Sequence, residues 1–279
     1  MNEREAAIES HYGSADISAR ILDALVRAGQ DPEHLQRADL APFDEFHGGG
    51  IASTRDLAAF AGVTPGLRVL DIGSGIGGPA RTLAAEFGCT VTGVDLTREF
   101  VAAARMLTAR LGMESTCRFE HGSATALPCA AASFDLAWSQ NMLMNVADKA
   151  ACFAEVARVL KPGGRFAFEV VLAGDGRPLH LPTFWAAVPD FNFLVTLAEL
   201  EDLLAGAGLE QVALEDTTAS VIAAGHKRRA AIAAHVQDPA ALSIAVIVPS
   251  DVEAKMSNAL ANNEEGRTRT VKAVYRRPD

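Results

Sequence analysis

Val69-Leu70-Asp71-Ile72-Gly73-Ser74-Gly75-Ile76-Gly77-Gly78 decides how this chain folds. Val69 to Ile72 is a short, largely apolar run fit for a buried strand, and it passes directly into closely spaced glycines and then a helical pattern from Pro79. Glycine removes the side chains that would hold a ligand away from the backbone. The following helix presents free N–H groups and the positive end of its dipole, so a ligand with polar or negative groups is expected there. Gly73, Gly75 and Gly78 also satisfy the G-x-G-x-x-G pattern of a dinucleotide site, so the glycines alone leave the ligand open.

Outward from this stretch, strand and helix alternate. Strands are predicted at Arg68 to Ile72, Thr90 to Asp95, Cys117 to Glu120, Phe134 to Ser139 and Arg165 to Leu172, with helices at Pro79 to Phe87, Arg98 to Leu111 and Lys149 to Leu160. That order is the signature of a mostly parallel sheet covered on both faces. Leu160-Lys161-Pro162-Gly163-Gly164 reads as the turn between the last helix and strand of the series. Ahead of the sheet, Ile17, Ile21, Leu22 and Leu25 mark a helix to Ala28. Gly48-Gly49-Gly50 marks a loop, and Ser53 or Thr54 is the expected cap of a helix through about Ala61. Behind the sheet an irregular loop carries Phe184, Trp185, Phe191 and Phe193. Capping boxes at Thr196 to Glu199 and Ser250 to Glu253 open two more helices, and Thr268 to Tyr275 reads as a closing strand.

The 279 residues are 49% hydrophobic and 22% charged, enough for a large core without staples. A formal charge of -10 argues against nucleic acid as partner, and Lys227-Arg228-Arg229 and Arg276-Arg277 read as solvated charge runs. Cys89, Cys117, Cys129 and Cys152 lack metal-ligand spacing, so reduced thiols and no metal are expected. The charged start Met1-Asn2-Glu3-Arg4-Glu5 is not a secretory signal, and the apolar runs are shorter than the ~20 residues of a spanning helix. A cytoplasmic protein without membrane insertion is the expectation.

Two acidic residues carry the chemistry further. Asp71 precedes the first glycine, where a carboxylate is awkward beside a pyrophosphate but suits a ligand bearing an ammonium and a sulfonium. Asp95 ends the next strand, where its oxygens can accept hydrogen bonds from two ribose hydroxyls. Together with Leu127-Pro128, Phe134-Asp135 and Ala157 to Gly164, these segments resemble the class I S-adenosylmethionine-dependent methyltransferases over roughly Pro65 to Leu209. The chain is most similar to the small-molecule branch that includes sarcosine/dimethylglycine, phosphoethanolamine, ubiquinone-pathway and sugar methyltransferases; Phe46 to Gly50 with Thr54 resembles that branch's entry segment.

The resemblance implies a doubly wound, Rossmann-like α/β fold: a mostly parallel seven-stranded sheet with an antiparallel last strand, plus helical N-terminal and C-terminal caps. Residues 1–64 would form a helical lid segment and 65–279 the methyltransferase domain, with a helical cap insertion at about 220–265. S-adenosyl-L-methionine is the implied cofactor and S-adenosyl-L-homocysteine its product. Gly73, Gly75 and Gly77 would line the methionine part, with Asp71 nearby, and Asp95 would hold the ribose. Leu96, Ser123 and Ala124 would flank the adenine, Gln140 would face the methionine moiety, and Tyr12 would close over the cofactor. Relatives commonly carry Asp at Ser123 and His at Asn145, and an amide cannot serve as a base.

The implied reaction moves a methyl group to an N, O or C atom of a small-molecule acceptor. A hydroxyl or acidic carbon acceptor needs a base, for which His47, Glu169 and His180 are the candidates by position. Asn141, Met144, Asn145, Phe184 and Trp185 are the expected acceptor pocket, with core packing the competing role for the apolar members. Two alternatives remain at this point: cofactor binding without methyl transfer, and a nicotinamide-dependent oxidoreductase. A homodimer is compatible with all of these readings.

Overall fold

The computed structural model describes residues 5, 9, 16–45, 47, 49–234, 242–248 and 251–279. Tyr12, Phe46, Gly48 and Ser250 therefore lie outside the described residues.

Seven strands form one sheet in the order β3-β2-β1-β4-β5-β7-β6. These are β1 (Arg68–Ile72), β2 (Thr90–Asp95), β3 (Cys117–His121), β4 (Phe134–Gln140), β5 (Leu160–Ala173), β6 (Glu210–Asp216) and β7 (Thr268–Arg276). β3, β2, β1, β4 and β5 run parallel, and β7 is inserted antiparallel between β5 and β6. The expected mostly parallel seven-stranded sheet with an antiparallel last strand is what forms. Four of the five residues of β1 are buried, as both-face coverage requires.

Helices α1 (Ile17–Arg27), α2 (Arg37–Leu40) and α3 (Gly50–Phe60) precede the sheet. Within it follow α4 (Gly78–Phe87), α5 (Arg98–Arg110), α6 (Lys149–Val159) and α7 (Leu197–Gly206), and then α8 (Thr218–Ala234) and α9 (Val252–Glu264). Alternate residues of β1 feed two cores: Leu70 and Ile72 join Phe153, Phe166 and Leu200 on one face, and Val69 joins Leu57, Leu83 and Trp138 on the other. A third core seats α1 on α5 through Ile17, Ile21 and Leu25 against Phe100 and Leu107. Burying each of those three aliphatic side chains is worth about 1.5–3 kcal/mol.

Three local expectations need correction. Gly49, not Ser53 or Thr54, occupies the cap position of α3, because the helix begins at Gly50 and holds both hydroxyls inside it, where they bond Glu169 and Gln140 instead. Leu160 to Gly164 is not a turn outside the sheet but an excursion within β5, where Phe134 pairs with Leu160 and Leu136 with Arg165. Asp251 takes the cap position of α9, and its side chain makes no capping hydrogen bond. The box at Thr196 does form, with Glu199 accepting from the Thr196 N–H at 2.7 Å. β6 has no counterpart among the strands read from the segment pattern, because its polar sequence is that of an exposed edge.

Candidate active site

The carboxyl ends of β1, β2, β4 and β5 open into a cavity of about 1390 Å³. Its walls also include the segment before α3, the loop after β5, and the facing sides of α8 and α9.

At its floor β1 runs into the glycine loop. The N–H groups of Gly73 and Ser74 donate to the carbonyl of Val94, and that of Gly75 donates to Asp95 Oδ2 at 2.8 Å. The second oxygen of Asp95 accepts from the Thr97 N–H at 2.8 Å. Burial raises the Asp95 pKa, opposed by those two N–H donors. Gly73, Gly75, Asp95, Leu96, Ser123, Ala124 and Gln140 all line the cavity as expected of cofactor contacts.

Two of the expected cofactor contacts fall elsewhere. Gly77 does not line the cavity; a Cβ there would lie 2.6 Å from Phe119 Cζ and 2.7 Å from Arg81 Nη1, so glycine is required for packing at a left-handed φ of 91°. Asp71 also lies behind the loop rather than on the cavity wall, because the strand's alternation turns it inward. It is 1% exposed, and its Oδ2 has no partner among the described residues. Burial, then the charges of Glu45 and Asp95, push its pKa well above the usual carboxylate range. Tyr12 lies outside the described residues.

A belt of polar side chains crosses the cavity from the pre-α3 segment to β4 and β5. His47 Nε2 lies 2.9 Å from Glu45 Oε2 and 3.1 Å from Thr54 Oγ1. Thr54 Oγ1 is also 2.8 Å from Glu45 Oε2 and 2.9 Å from Gln140 Oε1. Burial alone would raise Glu45, but His47, Thr82 and Thr54 more than offset it and hold its pKa below the ordinary value. The Nδ1 of His47 has no hydrogen-bond partner among the described residues, although the side chain is buried.

Next along the belt, Glu169 on β5 accepts from Ser53 Oγ at 2.7 Å and from Asn141 Nδ2 at 3.0 Å. Asn141 holds a left-handed φ of 53°, a conformation asparagine tolerates better than most residues and one that clusters at functional sites.

His47 and Glu169 therefore both face the cavity, whereas His180 does not. His180 pairs with Glu265 at 3.0 Å on the outer side of the post-β5 loop, where both side chains are exposed. It is withdrawn as a base candidate. Asn141, Met144, Asn145, Phe184 and Trp185 all line the cavity. Met144 and Trp185 are also buried in a small core with Val171, so wall and packing are one role here. Glu45 and fully buried Arg81 are missing from the residues picked out in the sequence, where Thr54 stands only as a helix cap and part of the entry segment. Arg81 bonds Asp44, Thr108 and the Ile76 carbonyl, clamping the pre-α3 segment to the glycine loop. The spacing Glu45-x-His47 ahead of the glycines was the available signal for Glu45; a helical arginine gives none.

Comparison with known proteins agrees with this geometry. The family model described as a methyltransferase domain matches residues 70–168. Methyltransferase GfsG of Streptomyces halstedii is 33% identical over 187 residues, 64% of this chain and 66% of that protein. The glycine/sarcosine/dimethylglycine N-methyltransferase of Actinopolyspora halophila is 37% identical over 127 residues, 44% of this chain but 22% of that protein. The chain thus covers less than two thirds of the length of these relatives. In fold it is similar to geranyl diphosphate C-methyltransferase from Streptomyces coelicolor A3(2), with a TM-score of 0.70 at 18% identity over 99% of this chain and 98% of that one. Residues 70–168 thus carry the match to a methyltransferase domain, and the relatives named above that this chain is similar to are methyltransferases.

Proposed function

We propose that the protein transfers a methyl group from S-adenosylmethionine to a small-molecule acceptor. The observation that carries this is the Gly75–Asp95 hydrogen bond at a cavity whose lining also includes His47 and Glu169. The residues fit the cofactor. A Cβ at Gly75 would meet nothing within 4 Å, so the backbone there is open to close approach. Asp95 keeps lone pairs beyond those its two N–H donors use, and Asp71 places a buried carboxyl oxygen without a partner just behind the loop.

When bound, S-adenosylmethionine supplies an electrophilic methyl group on a sulfonium. Asp95 would hold the ribose, with Leu96, Ser123 and Ala124 beside the adenine and Gln140 toward the methionine end. Trp185, Met144 and Phe184 exclude water from an acceptor and position it, the main contribution a protein can make to a displacement that disperses charge. His47, whose Nε2 contacts Glu45, and Glu169 would take a proton from a hydroxyl or acidic carbon, a role their position on the cavity lining supports. Asn145 lacks that capacity. Residues before β1 and the α8–α9 pair would act as caps, since Pro42, Gly50, Val221 and Met256 all line the cavity. The cytoplasm, with all four thiols reduced, is the proposed setting.

Calorimetric titration with S-adenosylmethionine and, separately, NAD tests the cofactor, and detection of S-adenosylhomocysteine in an acceptor screen tests the transfer. Binding of NAD instead, or of neither, would refute the reading. S-adenosylmethionine binding with no product across N, O and C acceptors would favour a binding module.

A further inference from the structure

Lys227-Arg228-Arg229 reads in the sequence as a solvated run, but Arg228 and Arg229 both line the cavity, and of the three only Arg228 is partly buried. Val221, Gly225 and Arg228 recur at helical spacing along α8, and all three line the cavity near Met256 and Leu260 of α9. Arg228 is half-buried and makes no hydrogen bond or ion pair among the described residues, and burial alone lowers its pKa. Glu253 on the same wall is exposed and forms no ion pair with it among the described residues. The neighbouring His226 is satisfied by Glu264 at 2.8 Å.

The carboxylates on the sheet side of the cavity are engaged, while Glu253 and Arg229 are exposed at its α8–α9 side. Asp44 pairs with Arg81, Glu45 with His47, Asp95 with two N–H groups, and Glu169 with Ser53 and Asn141. A guanidinium partly withdrawn from water, with no counter-charge among the described residues, favours an arriving anion, and its planar fork matches carboxylate and phosphate alike. Much of the surrounding wall is apolar. At about 1390 Å³ the cavity also exceeds the roughly 300–1,000 Å³ typical for one small ligand, which leaves room for a second molecule beside the cofactor.

We propose that the methyl acceptor is an anionic amphiphile whose carboxylate or phosphate pairs with Arg228 while its apolar body lies along Val221, Met256, Leu260 and Trp185. This rests on the methyltransferase reading above. Anchoring one end at α8 leaves the other end of the acceptor to the belt around His47 and Glu169.

The test uses the full chain saturated with S-adenosylhomocysteine, whose own binding is measured first. Decanoate, decyl phosphate and decan-1-ol are then titrated calorimetrically below their micelle concentrations. Both anions are expected to bind at least ~10-fold more tightly than the alcohol, in keeping with a charge-assisted pair, and the tighter of the two identifies the head group. Arg228→Gln should abolish that preference without changing affinity for the alcohol or for S-adenosylhomocysteine. Arg228→Lys should retain part of it, which separates loss of charge from loss of fold. Equal affinities for all three probes, or an anion preference that survives Arg228→Gln, would overturn the proposal and leave the methyltransferase reading standing. Failure to bind S-adenosylhomocysteine would overturn both.

Discussion

Asp95 Oδ2 accepts the Gly75 N–H at 2.8 Å, so the end of β2 fixes the shape of the loop that leaves β1. The same carboxylate is the proposed ribose ligand, and one substitution removes both functions. Asp95→Ala is expected to weaken S-adenosylmethionine binding by roughly 10- to 100-fold, the scale of ~1.5–3 kcal/mol for hydrogen bonds to a charged group. Calorimetry reads this directly, and an unchanged Kd would place the cofactor elsewhere.

Gly75 and Gly77 should respond differently to alanine. At Gly75 the space is open, so the cost is the left-handed φ of 53°, about 1–2 kcal/mol. At Gly77 that strain is joined by contacts of 2.6 Å to Phe119 and 2.7 Å to Arg81. Gly77→Ala should therefore lower stability by about 3 kcal/mol or more, since overpacking adds ~1–3 kcal/mol. Urea denaturation of the two variants, compared through their midpoints, gives the order; equal losses would contradict it.

Asp71 gives a pH prediction with a definite sign. Its folded-state pKa lies well above the unfolded value of ~3.9, so the unfolded chain gives up this proton first as pH rises. The stabilising contribution is full below about pH 3.9 and is lost as pH climbs through the raised folded value. Asp71→Asn, which cannot ionise, is expected to be more stable than the parent at pH 7, with the gap closing toward pH 4. Thermal melts at pH 4 to 8 check this. A variant less stable throughout would show that the carboxylate is held by a favourable partner instead.

The two base candidates are separable by kinetics once an acceptor is found. Whichever of His47→Ala and Glu169→Gln removes the base should cut kcat by about 10²–10⁴ while leaving S-adenosylmethionine affinity within a few-fold. For a neutral amine acceptor neither should exceed about tenfold. A change confined to KM would assign the residue to acceptor positioning.

The sheet was legible from Val69 to Gly78 outward because parallel strands buried on both faces must be apolar runs, and their helices must repeat at 3.6. Bounds for β1 and β2 agree to the residue with the reading. The edge strand β6 escaped because solvent permits polar residues there. In the site, Gly75 and Asp95 were readable, since a strand end followed by glycine has few other uses. Asp71 was misplaced: strand alternation, not distance from the glycines, decides which way it points. His180 was misjudged for a related reason, since a loop's path relative to Glu265 is set by tertiary contacts that leave no local pattern. Arg228 looked like part of a surface run because three adjacent basic residues spread around a helix, and only its packing shows that it, unlike Lys227 and Arg229, is partly buried.

The insertion of β7 between β5 and β6 has a consequence for how the chain is made. Until residues 268–276 are available, β5 and β6 each present an unpaired edge, and the half of the sheet carrying Glu169 lacks its neighbour. A ribosome would then hold an incompletely closed structure whose exposed backbone invites intermolecular pairing. Nonsense truncations anywhere before residue 268 should therefore leave insoluble polypeptide rather than a shortened enzyme, even though the glycine loop and Asp95 would already have been synthesised.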